Sequence, residues 1–392
     1  MKKLLLIFII LFHLTFYGQK ESICRTPSYT NWTYMQQLIN LNIANSSGFI
    51  NQSDMHAKVK IYVHVIRRSN GTGGQTISST HQAIDILRAD FCPVNIFFDW
   101  DGEIDFIDNT NFFNSPSDLI FNVNNHNDGI DIYLFDDNAP AGGLANGVGI
   151  SSEYYVSGSY WYYPYNSLIT SHVISHEMGH VLSLWHTHHG TYYEGGDPSQ
   201  CPELVDGTNS SVCGDYISDT PADPNIQFNV NQNCEWTLSG VDSNGDFYTP
   251  DTSNIMSYSS PDCMSYFSNQ QGRWMLNALN TIPFLQNLSK IGYGAVDINS
   301  VDCGNNSSSS IDSIKKVKVF PNPTDNIITL TFNNASEIKE ISIKDKFGKL
   351  IYHDFCNEKS TTINTETFQS GLYFIEIKDA DKTFIQKIII QP

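Results

Sequence analysis

The eleven residues HEMGHVLSLWH at 176–186 carry the densest chemistry in this 392-residue chain. His176 and His180 are four apart, Glu177 lies between them, and His186 follows six residues later. At 3.6 residues per turn the first two histidines project from one helix face, where their imidazoles can grip a single metal ion. Three neutral imidazoles suit Zn2+, and three protein ligands leave a fourth position open, which is the arrangement of a catalytic rather than a structural zinc. Glu177 is placed to take a proton from a water at that position and to pass it to a leaving amine. The chemistry expected is hydrolysis of a peptide bond without a covalent intermediate. The five-residue pattern alone is common, and the third histidine sharpens it. An ordinary histidine-rich surface helix is the competing reading. His172, His188 and His189 read as exposed or as neighbours of the site, not as ligands.

The elements around this motif alternate. Lys58–Ile66 is β-branched with period-two spacing and predicts a strand, as do Val94–Trp100 and Gly129–Phe135. Thr80–Phe91 has helical spacing, and Leu168–Leu184 is expected to be the helix bearing the ligands. Gly142–Val156 predicts a turn leading into an exposed strand, Trp32–Asn42 a short helix, and Gln270–Leu285 a closing helix. Strands interleaved with two long helices indicate an α/β half ahead of the motif. Residues 187–253 are rich in Gly, Asp, Asn, Ser and Pro and predict irregular structure held by disulfides and ions. The eight cysteines fit an oxidising compartment, although spacing alone leaves their pairing open.

Lys2, Lys3 and the apolar run Leu4–Phe16, with Gly18 behind it, read as a signal peptide at 1–18. Residues 19–55 read as a propeptide, 56–298 as the catalytic domain, 299–313 as a Ser/Asn-rich linker and 314–392 as a small all-β module. Residues 301–392 carry 11 Lys against 12 Asp and Glu, so nearly all of the net charge of −19 lies in residues 1–300. Nucleic acid is excluded as a partner for want of a basic patch. An acidic domain suits cationic substrates or calcium, and equally serves solubility alone.

A second motif is Asn254-Ile255-Met256-Ser257-Tyr258. Together with 176–186 it resembles the metzincin metallopeptidases, and within that clan the pappalysins, the cytophagalysin and ulilysin group. CGDYISDTPADP (213–224) and NIMSYSSPDCMSYFSNQQGRWM (254–275) resemble further segments of that group, so the likeness covers roughly residues 56–290. It implies an α/β (α+β) catalytic fold with an irregular, disulfide-held C-terminal half. It implies that Met256 forms a floor beneath a zinc held by His176, His180 and His186, and that Tyr258 helps to stabilise an oxyanion, which a phenol could do by hydrogen bonding. A buried aromatic beside the site is the alternative for Tyr258. Calcium is implied near Asp215, Asp219 and Thr220, which supply hard oxygen ligands. The loop Asp242–Asp246 is a weaker candidate, since residue 253 is Ser where an EF-hand needs Glu. Cys201 and Cys213 would close a short loop, and the likeness implies a Cys234–Cys263 pair. Cys24 would sit on the zinc and hold the enzyme latent; a disulfide is the rival reading. The acidic domain and Asp262 suggest a basic residue after the scissile bond. Chain and family differ at Ser183, where the family has a glycine that lets the helix end with positive φ.

Val319-Phe320-Pro321-Asn322-Pro323, Phe347-Gly348-Lys349, Gly371-Leu372-Tyr373-Phe374-Ile375 and the final Lys387–Ile390 run, in that order, resemble the C-terminal sorting domain of the type IX secretion system. The whole then reads as a secreted or cell-surface zinc endopeptidase, acting on proteins or peptides and recognised by the secretion machinery, with no stable membrane span. A catalytically weak binding or adhesion protein on the same fold is the alternative, and Ser183 is the feature that favours it.

Overall fold

A computed structural model describes residues 23–46, 55–136, 141–159, 168–191, 201–294, 296, 301–304, 318–320, 324, 326–331, 339–346, 349–379 and 382–390. The expected signal peptide, Pro321–Pro323, Phe347–Gly348 and most of the propeptide–catalytic junction and Ser/Asn-rich linker lie outside them. The chain divides into two compact units, residues 1–305 and 306–392.

The first unit is built on a seven-stranded sheet. Its strands are β1 (Met55–Arg67), β2 (Ile96–Asp99), β3 (Ile104–Asp108), β4 (Ile130–Phe135), β5 (Gly143–Ala145), β6 (Glu153–Ser157) and β7 (Ser289–Tyr293). The order along the main path is β2-β1-β4-β6-β5, with β3 and β7 also paired to β1. β1 runs parallel to β2, β3 and β4, β6 runs parallel to β4, and the edge strand β5 is antiparallel to β6. Alternation along β1 gives the sheet two covered faces. Ala57, Val59, Ile61, Val63 and Val65 enter the main core, whereas Ile66 joins Tyr133, Phe135, Tyr155 and Phe121 in a smaller one on the other face.

The helices that cover the main face follow from their apolar spacing. In α2 (Ile77–Phe91), Ala83, Ile84, Leu87 and Phe91 are buried at three- and four-residue steps, and the Thr76 side chain caps the first turn by accepting from Ser79 N–H. Pro93 follows α2 directly, and Asn95 turns the chain into β2 at φ 61. α1 (Trp32–Ser46) and α5 (Asn269–Thr281) pack together and onto this core. α5 begins with a capping box between Ser268 and Gln271. The short α3 is Thr110–Asn114, and α4 is Val173–Val181.

Several predicted boundaries move. The helix expected over 168–184 is a 3-10 turn at Leu168–Thr170 followed by α4, which stops at Val181. The closing helix expected over 270–285 breaks in two, because Pro283 forces Ile282 out of the helical region (ψ 120) before α6 (Pro283–Leu288) starts. Residues 201–253 hold only isolated bridges, at Val230–Trp236 and Val241–Phe247. They are stapled by Cys201–Cys213 and, to the segment after Met256, by Cys234–Cys263. A third disulfide, Cys92–Cys303, was not foreseen. It joins the Arg88–Asp302 ion pair in holding residues 301–304 against the end of α2, so the start of the expected linker is tied down.

The second unit pairs a four-stranded sheet, β11-β10-β13-β14, with a three-stranded one, β12-β9-β8. The strands are β8 (Lys318–Phe320), β9 (Ile327–Thr331), β10 (Lys339–Asp345), β11 (Leu350–Cys356), β12 (Ser360–Asn364), β13 (Gly371–Asp379) and β14 (Lys382–Ile390). Alternate residues Tyr373, Ile375 and Ile377 of β13 meet Ile328, Leu330 and Ile363 of the other sheet in one apolar core, as in a β-sandwich.

Candidate metal centre

Every residue of α4 is buried, which places His176, Glu177 and His180 in the interior of the first unit. The helix ends because Leu182, Ser183 and Leu184 donate backbone N–H groups to Met178, His180 and Gly179, and Ser183 turns the chain at φ 75. That turn returns His186 to the helix, with its Nε2 3.0 Å from His180 Nε2. The ring of His176 lies 4.9 Å from that of His180 and 5.2 Å from that of His186. His176 Nδ1 lies 2.6 Å from Ile255 O and His180 Nδ1 lies 2.8 Å from Leu184 O. A proton shared with each carbonyl fixes the tautomer and frees each Nε2 to face the centre.

The donor atoms of Cys24, His176, His180 and His186 lie within 4.8 Å of one another, and all four residues are buried. Cys24 Sγ is 3.5 Å from His180 Nε2. His176 Nε2 is buried with no hydrogen-bond partner among the described residues. Burial first, and then the neighbouring His186, push the His176 pKa down to about 3, so it stays neutral as a ligand must. An orphaned imidazole nitrogen among two further imidazoles and a thiol is a donor set that fits zinc.

Met256 is fully buried beneath α4. A Cβ at Gly179 would stand 2.5 Å from its Sδ, so the close approach requires glycine there. The turn carrying Met256 is held by Asn254, whose Oδ1 accepts from Met256 N–H and whose amide pairs with Gln271 of α5. The Tyr258 ring stands 4.4 Å from that of His186, and its hydroxyl donates to Cys24 O at 3.1 Å.

Residues 23–30 run along the edge strand and its continuation. Gly143 N–H donates to Ile23 O, Arg25 N–H to Gly143 O, and Val148 N–H to Tyr29 O. Within this segment Thr26 donates to Glu177 Oε2 at 2.7 Å, and Ala145 N–H donates to the same oxygen at 3.0 Å. Burial pushes the Glu177 pKa up to about 7 against these hydrogen bonds. Burial, with the Glu177 charge beside it, also pushes the Cys24 thiol well up. Cys24 stands outside the three disulfides found among the described residues.

His188 and His189, read from sequence as exposed or as neighbours, are buried. His188 stacks on His186 at 4.9 Å, and His189 stacks on Trp185 at 4.0 Å. His172 lies at the start of α4 with its Nδ1 2.8 Å from Asp90. Asp215 and Thr220 meet at 3.0 Å, and Asp219 lies near enough for its charge to act on Asp215. The Asp219 carboxylate accepts from Ser268 Oγ and Gln270 N–H at the start of α5. Glu203, which sequence reading missed, feels the charges of both Asp215 and Asp223. Burial and mutual repulsion push Glu203 up, and burial does the same to Asp215 and Asp223. Glu203 Oε2 is buried without a hydrogen-bond partner among the described residues. Glu203, in the polar run after Cys201, had no spacing signal to mark it. Asp242 accepts from the backbone of Val205, Asn244 and Asp246, the pattern of an ordinary turn. Asp262 is exposed.

A histidine triad, a carboxylate and a thiol lie buried together at a sheet edge, a group able to hold a metal ion. Residues 318–391 match the family described as the secretion system C-terminal sorting domain. The protein therefore carries a type IX sorting domain, which directs export to the cell surface or beyond, and among the described residues no helix is long and apolar enough to cross a membrane. An extracellular metalloprotease of Colletotrichum graminicola is 27% identical over 271 residues, covering 63% of this chain and 86% of that protein. An ulvan lyase of Nonlabens ulvanivorans is 38% identical over 85 residues, covering 21% of this chain; the match spans only 16% of the lyase. Among solved structures, an immunoglobulin-like β-sandwich protein from Bacteroides vulgatus shares 19% identity over 19% of this chain and 83% of its own, with a TM-score of 0.18.

Proposed function

We propose that the protein is an exported zinc endopeptidase of metzincin type, resembling the pappalysins, folded around its own inhibitory segment. The observation that carries this reading is the convergence of His176, His180 and His186 on one point, with Glu177 on the same helix. The distant likeness to an extracellular metalloprotease supports a peptidase and a metal cofactor. His176, His180 and His186 would hold the zinc. Bound there, it would polarise a peptide carbonyl and acidify a water at the open position.

The protein's own groups supply the rest. Glu177 takes the proton of the attacking water and delivers it to the leaving amine from its place on the ligand-bearing helix. Tyr258 hydrogen-bonds the developing oxyanion, and its hydroxyl already reaches the carbonyl of Cys24 in that region. Met256 fills the floor, and the edge strand β5 binds an extended substrate by backbone hydrogen bonds. Residues 23–30 occupy that edge, and Cys24 takes the fourth position through its thiolate, so residues 19–55 act as a propeptide with a signal peptide ahead of them. Buried Glu203, Asp215 and Asp223 favour a structural calcium ion there, with Thr220 beside Asp215. Cleavage before basic residues remains part of the proposal, on the acidity of residues 1–300.

The test is cleavage of an unfolded protein by the matured chain. Chelator abolishes it, and added Zn2+ restores it while Ca2+ alone does not. Cleavage that persists in a zinc-free, chelated sample overturns the proposal.

A further inference from the structure

On the sheet face opposite α2 and α4, a second group of metal-ligating side chains converges. His64 of β1 and Asp131 of β4 are fully buried, and His126 stands in the loop before β4. Asp131 Oδ1 lies 2.9 Å from His64 Nε2 and 2.7 Å from His126 Nδ1, and these donors fall within 4.8 Å of one another. Asp131 Oδ2 is already engaged, accepting from His126 N–H at 2.8 Å. Two imidazole nitrogens thus converge on one carboxylate oxygen, and the three side chains together offer a compact set of nitrogen and oxygen ligands.

The surroundings orient this set as a ligand set. His64 Nδ1 lies 2.9 Å from Asp105 Oδ2, which also accepts from Asn124 at 2.9 Å. A carboxylate holding one ring nitrogen fixes the tautomer and leaves Nε2 as the ligating atom, the outer-shell pattern of metal-bound histidines. The His126 ring stacks on Tyr62 at 3.4 Å between centroids and 6° between planes, and His64 stacks on Tyr133 at 4.5 Å. Both rings are thus held in place before any ion binds. A cavity of about 530 Å³ adjoins the group, lined by His64, His126, Trp100, Glu103, Asp105 and Asn124.

We propose that His64, His126 and Asp131 form a second metal site, taking a borderline divalent ion such as Zn2+, with its remaining coordination open to this cavity. Two imidazoles and one carboxylate select zinc and its neighbours over calcium and magnesium, which require all-oxygen shells. The ion would tie the loop at 124–128 to β1 and β4. The signal was dispersed in sequence: His64 sits mid-strand, and His126 and Asp131 lie more than sixty residues away with no recognisable spacing.

The test counts Zn2+ retained per full-length chain after gel filtration. His126→Phe keeps the ring against Tyr62 but removes the ligand. The expected result is one Zn2+ fewer than wild type, and the same difference of one when both proteins also carry His180→Ala, which disables the first centre. Asp131→Asn, which retains an acceptor for His126 N–H, is expected to lose the same equivalent. An unchanged count in folded His126→Phe, in either background, overturns the site. Should His126→Phe misfold, cobalt(II) added to a protein carrying Cys24→Ala, His176→Ala and His180→Ala decides: an absorption band of a histidine-ligated ion that Asp131→Asn removes supports the site, and the absence of a band overturns it.

Discussion

Ser183 concentrates the residue-scale argument. It holds φ 75, a conformation that suits glycine, and its buried Oγ has no hydrogen-bond partner among the described residues. It is nonetheless locked in place. Its carbonyl accepts from Trp274 Nε1 at 2.9 Å, and it packs so tightly on Gly149 that a Cβ there would stand 2.1 Å from Ser183 Oγ. The turn that delivers His186 therefore forms despite the serine, at a cost of about 1 kcal/mol. Ser183→Gly is expected to raise Tm by about 2–4 °C in thermal unfolding, the shift about 1 kcal/mol gives a domain of this size. Ser183→Ala, which keeps the strained φ, should gain less. A Gly variant no more stable than the Ala variant would show that the backbone is not strained there. At this scale much of the centre was readable: the four-residue spacing of His176 and His180 is the helix period itself. Glu203 was not readable, because neighbourhood in sequence is no guide to direction in an irregular segment. The Asp219 carboxylate accepts from the start of α5, and Glu203 comes within reach of the Asp215 and Asp223 charges.

At the scale of elements, the edge strand and the segment laid along it decide whether the centre is open. Residues 23–30 bond to β5 through backbone, place Thr26 on Glu177 and bring the Cys24 sulfur to the histidines. Cys24→Ala removes the sulfur that the proposal sets on the zinc and leaves the backbone pairing. We expect full-length Cys24→Ala to cleave at least about tenfold faster than unprocessed wild type before any N-terminal cleavage, a change of about 1.4 kcal/mol. Equal initial rates would show that the thiol does not restrain the enzyme. β1, β2, β4 and α2 were legible from period-two and three-to-four spacing, whereas β3 and β7 were not read and the strand expected to be exposed, β6, is buried. Helix ends were less so: the apolar residues after Val181 continue the pattern of α4, and only backbone geometry at Ser183 ends it. The break at Ile282 was visible in Pro283 and was overlooked.

For the whole molecule, the two units separate duties that charge already separated in the sequence. Acidity is concentrated in residues 1–300, whereas residues 318–391 form a nearly neutral sorting domain for export. An oxidising destination agrees with three disulfides stapling the first unit, two of them in its least regular part. Long-range partners were the least legible features. Cys92 and Cys303 are 211 residues apart, and nothing local marks them as a pair. The same holds for His64 and Asp131, joined only by the register of β1 with β4.

The central claim is that Glu177 is the base of a zinc-dependent hydrolysis. The direct measurement is protein cleavage by matured wild type beside Glu177→Ala, with zinc content determined on both. The account predicts that Glu177→Ala keeps its zinc and its fold while losing cleavage by several orders of magnitude. Comparable cleavage by the two proteins at equal zinc content would contradict it.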